Sequence, residues 1–160
     1  MPGSYTAEFQ GEIKNALIDA PFGQRLGLSR NDLHGAVRSA EAAVQAGNLD
    51  EAFRNYAYLV MLDPTNAHYH CGLAEVALDT GRFEMALQSA SVVVATRPSE
   101  PEGYFLSARA CIGMAEPALG LDDLAETERW AAKAGKPAYY AAAQRLRVLV
   151  DGAPGRASAG

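Results

Sequence analysis

The stretches Gly47-Asn48-Leu49-Asp50-Glu51-Ala52 and Gly81-Arg82-Phe83-Glu84-Met85-Ala86 decide the fold. Their glycines and alanines stand 34 residues apart, and Pro64 and Pro98, twelve residues after each alanine, keep the same interval. Each position has a mechanical reason. Glycine lets the chain turn sharply between two antiparallel helices, where φ can be positive. Alanine sits where paired helices approach closely and a larger side chain would push them apart. Proline cannot continue a helix and drives its predecessor towards extended geometry. Three coincident spacings define an internal repeat of helix pairs.

This period is that of tetratricopeptide repeats. The expected fold is all-α, a solenoid of about three helix pairs spanning 31–151. The repeats are 33–66, 67–100 and 101–134, with a capping helix over 137–151 that covers the open end of the array. Asn48 with Glu51 reads as an N-cap and its acid, and Ser99 with Glu102 has capping-box spacing at the start of the third repeat. In that repeat Ala115, Gly120 and Ala132 hold the slots of glycine, alanine and proline, and Pro117 and Gly120 lengthen the turn or move the expected helix start towards Asp122. An N-terminal helical segment fills 1–30, with Phe9, Ile13, Leu17 and Ile18 on one stripe. The tail 152–160 reads as disordered.

Composition agrees. Of 160 residues 31 are alanine, the best helix former. A net charge of -5 weighs against nucleic acid, which needs clustered Lys and Arg. The longest apolar run, Ala57 to Leu62, has six residues where a membrane span needs roughly 20, so no direct membrane insertion is expected. Glu8 and Glu12 break any secretory signal core. Cys71 and Cys111 make no disulfide framework, and reduced thiols suit a cytoplasmic protein.

His68, His70 and Cys71 form the most suggestive chemical cluster. His68 and Cys71 share a helical face, but only two ligands converge, and no second Cys or His motif completes a tetrahedral metal site. His70 falls where these repeats bury an aromatic, so packing is the better reading. A Cys71 nucleophile lacks a group to orient His68 as its base. There is no phosphate loop, dinucleotide fingerprint or nucleophile elbow, so neither a cofactor nor catalysis is expected.

A curved solenoid offers a concave face lined by the first helix of each pair. Here that face takes His34, Val37, Glu41 and Val44, then His68, Cys71, Glu75 and Leu78, then Glu102, Phe105, Arg109 and Ile112. Polar residues at half the sites suit a solvated face. Phe105, Leu78 and Ile112 exposed together would be a cost without a ligand. An extended peptide could drop alternate side chains into the apolar pockets while Glu41, Glu75 and Arg109 hold its backbone or charges.

Leu59-Val60-Met61-Leu62-Asp63, Gly72-Leu73 and Gly81, behind an acidic N-terminal helix, resemble the class II chaperones of bacterial type III secretion. The resemblance covers roughly Leu33 to Ala118. It implies binding of hydrophobic translocator proteins in the concave groove, keeping them secretion-competent. It also implies a homodimer contact around Phe9, Ile13 and Leu17, a stripe that could equally fold back on the first repeat as a cap. Val37, Glu41, Val44 and Ala90 stand where that family tends to place aromatics, which leaves smaller or more polar pockets. A general scaffold joining proteins of a bacterial assembly is the alternative.

Overall fold

The structure is a computed structural model, and it describes residues 22–153. After a helical turn at Phe22–Arg25, seven helices follow: α1 (Arg30–Gln45), α2 (Leu49–Leu62), α3 (Ala67–Asp79), α4 (Phe83–Thr96), α5 (Pro101–Gly113), α6 (Pro117–Ala134) and α7 (Pro137–Asp151). They pair as α1/α2, α3/α4 and α5/α6, each pair stacking on the next, with α7 against α5 and α6. The described residues contain no strand. The stripe Phe9, Ile13, Leu17 and Ile18 lies outside the described residues, as does 154–160 of the tail.

The 34-residue register survives as burial. Ala40, Ala74 and Ala108 are all 0% exposed, and so are Ala52 and Ala86, with Gly120 buried in the third slot. A methyl at Gly120 would meet Ile112 Cγ1 at 2.6 Å, so this helix pair packs closer than alanine permits. Leu59, Val93 and Thr127, also one repeat apart, fill the layer beneath. Three hydrophobic clusters follow in chain order, around Ala40 and Tyr56, around Ala74 and Val93, and around Ala108, Leu124 and Ala143. Each repeat therefore buries its face only on its neighbours.

Gly47 and Gly81 turn with φ of +74° and +72°, and Ala115 adopts the same left-handed conformation at +62°. The residues before Pro64 and Pro98 also match: Asp63 and Arg97 end their helices at φ/ψ of -141°/84° and -136°/63°. Where Ala132 replaces proline, α6 runs on to Ala134 and reaches 18 residues against 14 in α2 and α4.

Two local expectations are corrected. Ser99 does not cap α5: the cap position is Glu100, without a side-chain bond, and Pro101 takes the first turn, where a missing N–H costs nothing. Likewise α6 starts at Pro117 instead of near Asp122, because proline at N1 opens a helix rather than lengthening the turn. Asn48 behaves as read, its Oδ1 accepting from Glu51 N at 3.4 Å while its Nδ2 donates to Glu51 Oε2 at 2.6 Å.

Candidate functional site: the concave face

Helices α1, α3 and α5 carry the expected groove residues at three depths, and contacts join Glu75 of α3 to Arg109 of α5. His34, Glu41, His68 and Glu75 are exposed, and Val44 is 38% exposed at the rim. Val37, Glu102, Phe105, Arg109 and Ile112 are half-buried. Cys71 and Leu78, at 8% and 9%, form the floor. Of the apolar anchors read from sequence, only Val44 stands open. Ala90 is 0% exposed within α4, so it belongs to the core and not to the groove.

Arg109 is the electrostatic centre. Its Nη1 donates to Glu75 Oε2 at 2.6 Å, Nη2 lies 3.8 Å from Asp79 Oδ1, and the guanidinium carbon sits 5.8 Å from the centre of the Phe105 ring. The bridge ties α3 to α5 along the groove. Its sides are 28% and 51% exposed, so it steers charge more than it holds the fold.

The sequence reading missed the contribution of α7. Tyr139 meets Phe105 edge to face, ring centres 5.9 Å apart at 83°. Tyr139 and Leu146 lie 34 residues beyond Phe105 and Ile112, a signal available in the sequence once α7 is treated as a fourth first-helix. Phe105, Ile112 and Leu146 pack in one cluster, so the groove's far end is partly filled by its own capping helix. Burial first, then the Glu102 carboxylate, pushes the Tyr139 phenol up to about 12. The same two causes push the Cys71 thiol up to about 12, which keeps it a neutral, poorly nucleophilic floor residue.

His70 is 6% exposed, with Nε2 2.9 Å from Pro64 O, as a packed histidine at a helix junction should be. Among the described residues no three His, Cys, Asp or Glu side chains converge on a metal position, and no helix is long and apolar enough to cross a membrane.

Paired helices in a 34-residue register around one concave face define an all-α tetratricopeptide-repeat solenoid, and a tetratricopeptide repeat family model matches residues 43–110. Structural neighbours include a translocator chaperone of type III secretion. The structure of PcrH, a Pseudomonas aeruginosa protein, with the chaperone-binding region of PopD is 27% identical, covering 78% of this chain and 95% of that one at a TM-score of 0.73. A type III secretion complex from Aeromonas hydrophila gives 22% identity, 88% and 95% coverage and a TM-score of 0.81. The Yersinia enterocolitica translocator chaperone SycD gives 19%, 84% and 98%, and 0.70. No curated protein sequence matched the chain.

Proposed function

We propose that this chain is a type III secretion chaperone that holds hydrophobic translocator proteins in the cytoplasm through its concave face. The observation that carries the reading is the likeness to PcrH, whose structures hold the chaperone-binding regions of PopD and PopB, over most of both chains. The groove chemistry suits such a client. Val44, Ile112 and Leu146 offer an apolar row above the Leu78 floor, and Glu41, Glu75 and Arg109 flank it with charge. An extended segment would lay alternate side chains along that row.

The mechanism is mass action and not catalysis. A translocator must later enter a membrane, so its free apolar segments aggregate or attack bilayers early. Binding to the chaperone lowers their free concentration until export. Binding is assigned to His34, Val37, Glu41, Val44, His68, Glu75, Glu102, Phe105, Arg109 and Ile112, with Cys71 and Leu78 beneath.

The test is co-expression with translocators of the same organism, followed by size exclusion with light scattering. A soluble stoichiometric complex, lost on Val44→Arg in a chaperone that keeps its melting temperature, supports the reading. Failure to solubilise any translocator moves the assignment to a general scaffold. Phe105→Ala is a poorer probe, because Phe105 also supports Tyr139.

A further inference from the structure

Beside the concave face lies a recess of about 430 Å³, lined by Ile112 on α5, Ala115 and Pro117 around the turn into α6, and Leu146, Leu149 and Val150 on α7. Every residue lining it is apolar. Leu149 is 70% exposed, so the recess opens to water. A contiguous apolar hollow of this size marks a contact site.

Its origin is one departure from the repeat. Pro117 stands 34 residues after Phe83. Phe83 fills the junction between α4 and α5, pressing on Gly113 so closely that an added Cβ there would lie 2.4 Å from Phe83 Cδ1. The proline that opens α6 is too short to fill the matching space against α7. The recess also continues the groove. Val44, Leu78, Ile112 and Leu146 recur at 34-residue intervals, and the last two of this apolar row belong to the lining. The C-terminal tail cannot fill it: the described chain ends at its edge with Ala153, and residues 154–160 contain no Leu, Ile, Val, Met or aromatic side chain.

We propose that this recess is a further subsite of the client groove, which takes one bulky aliphatic or aromatic side chain of the bound translocator. The inference rests on the chaperone reading above and adds an anchor point to it. An extended segment laid along the apolar row meets Ile112 and Leu146 at one end, and a Leu, Met or Phe there leaves water for the apolar walls. A charged or amide side chain at the same point would lose its water and find no partner among the lining residues. The recess therefore discriminates between clients by the residue they present to it, with Leu149 as the specificity-determining contact.

The probe is the full-length translocator that co-purifies with this chain. Leu149→benzoylphenylalanine should photo-cross-link to it, and mass spectrometry of the adduct gives the segment whose synthetic peptide is then titrated. Leu149→Glu should weaken that peptide at least about tenfold. Val148→Glu, equally exposed but outside the lining, should leave it within about twofold, and both variants should keep the wild-type melting temperature. Cross-linking only to a second copy, or only to this chain's own N-terminal segment, would overturn the subsite by naming another occupant. Equal loss from both glutamates would overturn it in favour of the outer side of α7. A complex whose peptide ignores Leu149→Glu would overturn the subsite alone, whereas the absence of any co-purifying translocator would overturn the chaperone reading with it.

Discussion

Arg109 on α5 and Glu75 on α3, one repeat apart in sequence, meet at 2.6 Å between the two helices. Both belong to the same repeat position, so the charge swap from glutamate to arginine at this step turns a row of like charges into a bridge. Because both sides are solvent-accessible, the pair contributes little to stability. A double-mutant cycle with Glu75→Ala and Arg109→Ala should give a coupling of about 0.5–1 kcal/mol in denaturant unfolding, shrinking as salt is raised.

Ala115 occupies a left-handed turn that Gly47 and Gly81 fill in the other repeats. A Cβ there costs about 1–2 kcal/mol, offset in part by the lower unfolded-state entropy of alanine. Ala115→Gly should therefore raise stability by about 0.5–1 kcal/mol. Gly47→Ala and Gly81→Ala should lower it by about 1 kcal/mol, with no steric contribution, since nothing lies within 4 Å of either added methyl. Shifts of the urea midpoint at constant slope measure all three.

Gly72 is required for a different reason. Its φ is ordinary for a helix, but an added Cβ would lie 2.1 Å from Tyr56 Cε1. Gly72→Ala should cost at least about 2 kcal/mol. Adding Tyr56→Leu should recover part of that loss, so that the double variant is more stable than the sum of the singles predicts. Strict additivity would show that the contact is not the cause.

Asp123 is held above the ordinary carboxylate range, chiefly by burial, although Ser107 Oγ donates to it at 2.6 Å. A raised folded-state value means that its stabilising contribution is present below the unfolded value near 3.8 and is lost as pH rises through the folded value. Asp123→Asn keeps a hydrogen-bonding group without the charge. The difference in unfolding free energy between variant and wild type should therefore shift in favour of the variant as pH climbs from about 4 to 7.

Cys71 and Cys111 are buried, and the thiols of both are pushed up, mainly by burial. A thiol reagent at pH 7 should label neither in the native chain within minutes and both after denaturation. Fast labelling of Cys71 alone would mean that the groove floor opens.

The repeat and its helix pairing were legible in the sequence because they depend on short-range chemistry at fixed intervals. Gly47 and Gly81 need left-handed turns, Ala52 and Ala86 need close approach, and Pro64 and Pro98 end helices wherever they stand. The third repeat was harder to read. Proline at 117 could lengthen a turn or open a helix, and only the packing of Gly120 on Ile112 fixes the latter.

Depth was not legible at all. Periodicity puts Leu78, Phe105 and Ile112 on one face, but how far each is covered depends on the neighbouring helices. The approach of Tyr139 and Leu146 on α7 turns two expected open anchors into half-buried ones. Which residues share a helix face could be read from their spacing, since a helix's geometry is local. How far each is covered follows from packing, which buries Leu78 and leaves Val148 and Leu149 bare, because exposure is set by what packs on a helix and not by its own spacing.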